Sequence, residues 1–147
     1  CLFEAIFNFG SSVAAYKMEI GLTDNDQDPG AVLQKQDTTT STADDYAVFV
    51  VDTDDDANIA FYSRKDAGTV VETNDIVAAV ADTTYRFAVR VEGDTVKAWL
   101  NGNEVGNVDG HAIQGGDGIT PWVFVRSRSG SSRTSTLYKW RVTQPAW

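Results

Sequence analysis

Residues 85–105 read YRFAVRVEGDTVKAWLNGNEV, and this stretch decides the fold class. Apolar side chains alternate with Arg, Ala and Lys on both sides of Gly93-Asp94, as expected of two β-strands that each bury one face. Asn101-Gly102 then predicts a tight hairpin, because both central positions of a type I′ turn need a positive φ. We therefore predict antiparallel strands here, with Glu104-Val105 as a short return.

The same alternation recurs along the rest of the chain. Strands are predicted at residues 2–9, 13–22, 46–51, 58–63, 119–128 and 136–143, with shorter candidates at 69–72 and 76–80. Residues 76–81 also fit one or two helical turns, whereas no segment of about 12 residues or more shows a helical stripe. About ten short strands separated by polar turns predict a single all-β domain over residues 1–147, an antiparallel β-sandwich or a barrel.

The chain of 147 residues contains one Cys and one His, which excludes several kinds of site. A disulfide scaffold and a Cys/His zinc site are excluded, and a Ser-His-Asp triad would have to use His111. His111 lies in a Gly-rich stretch without a nucleophile pattern, so we interpret it as a loop residue. Glu4 and Glu19 fall on separate strands, and no carboxylate pair for glycoside hydrolysis is indicated. We predict that the chain is not an enzyme.

Charge is distributed unevenly along the chain, which has 12 Lys+Arg, 21 Asp+Glu and a net charge of −9. Residues 1–80 hold 15 acidic and 4 basic residues, whereas residues 81–147 hold 6 and 8. The acid excess argues against nucleic acid as a partner, because binding there depends on neutralising phosphates. No apolar run approaches the roughly 20 residues of a membrane span. The split predicts an acidic side that faces solvent and a basic side that docks.

The basic half contains an Arg/aromatic strand followed by a basic loop. Trp122 and Phe124 share one predicted face with Arg126 and Arg128, and Arg133 follows in a Ser/Gly-rich loop. Arginine beside aromatic side chains is typical of protein contact centres, and Trp can stack on a sugar ring. We predict that these five residues form a protein or glycan interface. The alternative is a set of core aromatics with arginines that reach out to solvent.

An acidic turn between two predicted strands suits calcium. Oxygen-bearing side chains stand there at alternate positions: Asp52, Asp54, Asp56 and Asn58. Such spacing allows hard oxygen ligands to converge on Ca²⁺, the one cofactor that the sequence indicates. The turn departs from an EF-hand, because Ala57 and Ser63 stand where Gly and Glu are required, and a plain hairpin turn is the alternative. Asp24–Asp28 is a second candidate.

The whole pattern resembles the concanavalin A-like (laminin G-like) jelly roll. Residues 85–105 are similar to its central hairpin, and residues 3–5 and 137–142 fit its first and last strands, which lie near each other. The resemblance implies an antiparallel two-sheet β-sandwich. The Glu-x-Asp-x-x-Glu strand of the family's glucanases has no match, so glycosidase activity is not implied. The turn at residues 52–58 is not the metal-anchored signature of the family's lectins.

More narrowly, residues 119–129, ITPWVFVRSRS, together with the preceding hairpin, are similar to head decoration, turret and fibre proteins of tailed viruses. This resemblance implies a non-enzymatic structural protein on the virion surface, bound to the major capsid protein, to other virion proteins or to copies of itself. The alternative is an extracellular, lectin-like module that binds host surface glycans. Because the chain begins at Cys1 inside a strand pattern, we expect residues to precede it.

Overall fold

The computed structural model describes residues 1–24, 31–33, 41–110, 119–130 and 132–144. Within these ranges the chain forms ten β-strands and no helix. The strands are β1 (Leu2–Asn8), β2 (Tyr16–Thr23), β3 (Tyr46–Asp52), β4 (Asp56–Arg64), β5 (Val71–Ala78), β6 (Thr84–Glu92), β7 (Thr95–Leu100), β8 (Asn103–Asp109), β9 (Thr120–Ser127) and β10 (Thr136–Thr143). His111, residues 25–28 of the second acidic segment and Trp147 lie outside the described residues.

The strands form two antiparallel five-stranded sheets. Sheet A has the order β10-β1-β6-β7-β8, and sheet B has the order β5-β4-β3-β2-β9. The chain changes sheets after β1, β5, β8 and β9, and consecutive strands otherwise pair with each other. The all-β, two-sheet sandwich predicted from the sequence is confirmed. None of the described residues forms a helix that could cross a membrane.

The main core lies between the sheets and follows from the alternation along each strand. In β1, Phe3 and Phe7 are buried, while the residues between them are partly exposed or small. The ring of Phe49 in sheet B lies 5.2 Å from that of Phe61 and 5.1 Å from that of Phe87 in sheet A. Such tilted and edge-to-face aromatic contacts join the two sheets and add to the free energy of apolar burial.

The hairpins of sheet A form as the sequence predicts. Gly93 turns the chain with φ 56°, and Asn101 and Gly102 take φ values of 53° and 87°. The side-chain oxygen of Asn101 accepts a hydrogen bond from the Arg86 amide at 2.8 Å, and the Asn101 amide donates to the Arg86 carbonyl at 2.8 Å. The return strand β8 is longer than predicted, because it pairs with the whole length of β7.

Strand β5 differs from the prediction. Residues 69–80 were expected to give two short strands or a helical turn, whereas they hold one strand, Val71–Ala78, paired with β4. The register shifts between Ile59 and Phe61, and Asp75 takes a positive φ of 53°. This bulge interrupts the alternation of apolar and polar residues, so the sequence suggests two short segments. Backbone hydrogen bonds to β4 join them into one strand.

The first and last strands lie side by side, as the resemblance implied. Strand β1 pairs with β10 from Leu2 opposite Thr143 to Asn8 opposite Thr136. On its other edge β1 pairs with β6. Strands from the two ends of the described chain therefore lie in the same sheet as the central hairpin.

A second apolar cluster covers the outer face of sheet B. Residues 31–33, here called the strap, cross this face and bury Val32 and Leu33 against β3 and β4. The Thr42 amide donates to the Val32 carbonyl at 3.0 Å, which fixes the strap to the chain that returns toward β3. The inner-face residues of β2 and β3 pack in the main core and the strap lies over their outer face, so every residue of both strands is buried.

Two fully buried tyrosines predict a loss of stability at alkaline pH. Burial raises the pKa of Tyr16 and of Tyr46 to about 12, from an ordinary value of 10.0. The unfolded chain therefore releases these protons first, so the stabilisation is complete below pH 10 and is lost as the pH rises toward 12. We expect the free energy of unfolding in urea to fall between about pH 9 and about pH 11.5, by about 2 kcal/mol per tyrosine. A free energy that stays constant over this range would contradict the burial of both phenols.

Candidate functional site

Three of the five residues predicted to form an interface lie on β9. Trp122, Phe124 and Arg126 project from the outer face of sheet B, so the predicted shared face is confirmed. The Trp122 and Phe124 rings stack with centroids 6.1 Å apart and planes at 4°. Both rings are partly buried, whereas Arg126 is exposed. Their role as a protein or glycan interface stays a prediction.

Trp122, Arg128 and Arg133 make polar contacts inside the protein. The indole Nε1 of Trp122 donates a hydrogen bond to the Glu19 carboxylate at 3.0 Å. The Arg128 guanidinium forms an ion pair with Asp52. Arg133 Nε donates to a backbone carbonyl between β1 and β2 at 2.6 Å. These side chains stabilise the sandwich, and Arg126 remains as the exposed cation of the set.

Three charged side chains are buried together on the outer face of sheet B. Lys17 Nζ lies 3.4 Å from Glu19 Oε1 and 3.6 Å from Asp52 Oδ2, and all three side chains are at most 1% exposed. Burial lowers the pKa of Lys17, while the charges of Glu19 and Asp52 oppose that shift. The two carboxylates therefore stabilise an ammonium group that burial alone would disfavour.

Glu19 also holds the strap in place. Its two carboxylate oxygens accept hydrogen bonds from the Val32 amide at 2.7 Å and the Leu33 amide at 2.9 Å. Lys17 Nζ in turn donates to the Leu33 carbonyl. The sequence carried one signal of this arrangement that we did not use: Lys17 and Glu19 stand two positions apart, with opposite charge, on a strand whose other face is apolar. Their buried partners come from distant residues and could not be foreseen.

The acidic turn predicted to bind calcium joins β3 to β4. Asp52 is directed toward the buried ion pairs, whereas Asp54 is exposed. Asp56 Oδ1 accepts from the Asn58 amide at 2.8 Å, and Asn58 Nδ2 donates to Asp75 Oδ1 at 2.7 Å. Over the described ranges, no three His, Cys, Asp or Glu side chains group as metal ligands. The calcium site stays a prediction from the sequence.

An open groove of about 600 Å³ lies on the outer face of sheet A. Three rows of paired residues cross the sheet here. The middle row contains Glu104, Trp99, Ala88, Glu4 and Arg141. One flanking row contains Arg86, Ile6 and Lys139, and Arg86 is hydrogen-bonded to Asn101. The other contains Asn107, Lys97, Arg90 and Leu2. The small side chain of Ala88 stands between larger ones and leaves the depression.

The groove is cationic although the chain is acidic. Four cationic side chains line it: Arg86, Arg90, Lys139 and Arg141. The carboxylate in its lining is Glu4, which forms an ion pair with Arg141. Arg90 is paired with Glu92 at 2.5 Å. Arg86 and Lys139 form no ion pair with any residue that the structure describes. Two uncompensated cations therefore face the groove.

Trp99 lies between Ala88 and Glu104 and contributes a partly buried indole to the groove. This site was not predicted from the sequence. The outward positions of the predicted hairpin already contained Trp99 with Arg86 and Arg90. What was missing was the pairing of β6 with β1 and of β1 with β10, which brings in the rest of the lining.

The fold is similar to that of several solved structures, although the sequence has no match. No family model matches the sequence, and no curated protein matches it. Among solved structures, a tetrameric galectin from the ball sponge Cinachyrella sp. has 14% identity and a TM-score of 0.55, with coverage of 97% of this chain and 91% of that chain. Chicken galectin 2 has 12% identity and a TM-score of 0.54, with coverage of 95% and 87%.

A β-glucanase of Bacillus licheniformis is also similar, with 12% identity, a TM-score of 0.55 and coverage of 95% of this chain and 63% of that chain. These likenesses, with the strand order, confirm the predicted concanavalin A-like jelly-roll sandwich. At such identities they concern the fold alone.

The buried carboxylate of Glu19 predicts a large mutational effect. We expect Glu19→Gln to lower the free energy of unfolding by about 3–5 kcal/mol, because it leaves the Lys17 ammonium buried with one carboxylate fewer. The control is Glu4→Gln, which breaks the more exposed ion pair with Arg141 and should cost at most about 1 kcal/mol. Urea denaturation of both variants measures the difference. Equal effects of the two substitutions would contradict the structural role of Glu19.

Proposed function

We propose that the chain is a non-enzymatic, lectin-like module that binds carbohydrate in the groove on the outer face of sheet A. The observation that carries this proposal is the indole of Trp99 in an open groove that also contains Glu4, Arg86 and Asn101. An indole offers a flat apolar surface to a sugar ring, and neighbouring polar side chains can bind hydroxyl groups.

The fold comparisons support this proposal over the virion role. Galectins occur among the structural neighbours, which favours the lectin-like alternative of the sequence analysis. The neighbours described above are not virion proteins. The comparisons therefore give no support to the virion role.

The arrangement of carboxylates supports a binding role without catalysis. Glycoside hydrolysis uses two carboxylic acids about 5–10 Å apart in a cleft. Among the described residues, the groove is lined by one carboxylate, Glu4, which is paired with Arg141. Glu19 and Asp52 both contact Lys17, but they are buried and have no access to a sugar. The groove, as lined by described residues, thus presents no carboxylate pair to a substrate.

One observation favours the structural role as a second candidate. Of the exposed large hydrophobic side chains in the described ranges, most lie on the edge strands β9 and β10: Val123, Val125, Leu137, Tyr138 and Trp140. Large apolar side chains exposed on an edge strand often mark a contact with another protein. A particle-surface role predicts this chain at fixed stoichiometry in purified virions by mass spectrometry, and its absence from particles would exclude that role.

Replacement of the groove indole should remove carbohydrate binding. We expect Trp99→Ala to weaken the binding of any glycan that the wild-type chain selects on an array by tenfold or more, about 1.4 kcal/mol, in titration calorimetry. Tyr138→Ala is the control, because it removes an aromatic ring that is 63% exposed and outside the groove lining. If Trp99→Ala binds like the wild type and Arg126→Gln does not, the site lies on sheet B and the proposal is wrong.

A further inference from the structure

We infer that the ligand of the sheet A groove is an anionic carbohydrate chain, one that carries carboxylate or sulfate groups. This inference depends on the proposed function, because it takes the groove as a carbohydrate site and specifies the class of sugar. It is based on the placement of the cations, on the shape of the groove and on the charge of the rest of the molecule.

The cations of the chain are concentrated on this one face. Of the 12 Lys and Arg residues, five project from the outer face of sheet A: Arg86, Arg90, Lys97, Lys139 and Arg141. The chain as a whole has a net charge of −9. In a chain of negative net charge, a face that collects five cations is favoured for binding an anion.

The cations stand along both sides of a shallow floor. Strand β1 contributes the apolar side chains of Leu2 and Ile6 to the floor. On one side β6 places Arg86 and Arg90 about 13 Å apart, which is four residues of extended strand. On the other side β10 places Lys139 opposite Ile6, about 10 Å from β6 across two strand spacings. An extended chain that lies along β1 would contact cations on both sides.

Arg86 and Lys139 are available for a ligand. Neither forms an ion pair with a described residue, and both are exposed. The Arg86 backbone is held in register by two 2.8 Å hydrogen bonds to Asn101, so its side chain starts from a fixed position. A guanidinium can bind a carboxylate or a sulfate through two parallel hydrogen bonds, which makes Arg86 the preferred contact for such a group.

The shape of the groove favours a single sugar chain over a nucleic acid duplex. A duplex presents a dense phosphate charge across a broad surface and needs a correspondingly broad basic face. Here four of the five cations on the face line one groove of about 600 Å³. A single-stranded oligonucleotide is narrower and can stack on an indole, so it is included below as a competing ligand.

The experiment compares polymers that share a backbone and differ in charge. Polygalacturonate is compared with its methyl ester, and dextran sulfate with dextran, by calorimetric titration of the full chain. We expect the charged member of at least one pair to bind tenfold or more tightly than its neutral partner. That binding should weaken tenfold or more when NaCl is raised from about 50 mM to about 500 mM, because the added salt ions screen the attraction between the cationic side chains and the anionic polymer.

Matched variants locate the binding. Arg86→Gln and Lys139→Gln should each weaken binding of the charged polymer about tenfold, which corresponds to one charge-assisted hydrogen bond. The control is Lys65→Gln, which removes a cation that is paired with Asp94 at 3.2 Å and does not line the groove. Circular dichroism and urea denaturation show that each variant is folded as the wild type.

The possible outcomes distinguish the anionic ligand from the carbohydrate site itself. Neutral polymers bound as tightly as charged ones, or charged polymers bound equally by Arg86→Gln, Lys139→Gln and Lys65→Gln, would overturn the anionic ligand and leave the carbohydrate site in place. Absence of binding to all four polymers and to a glycan array would overturn the proposed function as well. Tighter binding of oligothymidylate than of any glycan would overturn the carbohydrate class.

Discussion

One buried carboxylate determines which face of the sandwich is open. Glu19 accepts hydrogen bonds from the amides of Val32 and Leu33 and from the indole of Trp122, and it forms an ion pair with Lys17. A buried carboxylate is tolerated only when its oxygens are bonded and its charge is matched. Since those bonds come from the strap, from β9 and from its own strand, satisfying Glu19 requires that the outer face of sheet B be covered.

The two outer faces of the sandwich therefore differ in kind. On sheet B the charges of Lys17, Asp52 and Arg128 compensate one another beneath or beside the strap. On sheet A no described segment covers the face, and cationic side chains surround Ala88 and Trp99 in an open groove. The pairing of charges therefore leaves the outer face of sheet A as the face on which we propose that carbohydrate binds.

The fold could be predicted because it depends on local patterns. The alternation in residues 85–105 and the Asn101-Gly102 turn specify the central strands of sheet A without reference to the rest of the chain. Strand β5 was divided wrongly because its pattern is interrupted by a bulge that exists only in its pairing with β4. The alternation of apolar and polar residues predicts a strand correctly where the pairing is regular. It does not predict the bounds of a strand whose register is set by a bulge against a distant strand.

The candidate site could not be predicted to the same extent, because its members are far apart in the sequence. Glu4, Ala88, Trp99 and Arg141 come from four strands, and only the sheet order places them in one row. The shared face of the Arg/aromatic strand was predicted correctly from its alternation. Its contact with Glu19 was not, since the carboxylate lies more than one hundred residues away in the chain.

NMR titration of the isotope-labelled chain with oligogalacturonate maps the bound ligand on the surface and therefore tests whether sheet A is the binding face. We expect shifts of the backbone amides of Arg86, Ala88 and Trp99 on sheet A, with the Val32 and Leu33 amides unchanged in their hydrogen bonds to Glu19. Shifts confined to the strap and to the strands of sheet B, with the amides of β6 and β7 unaffected, would contradict it.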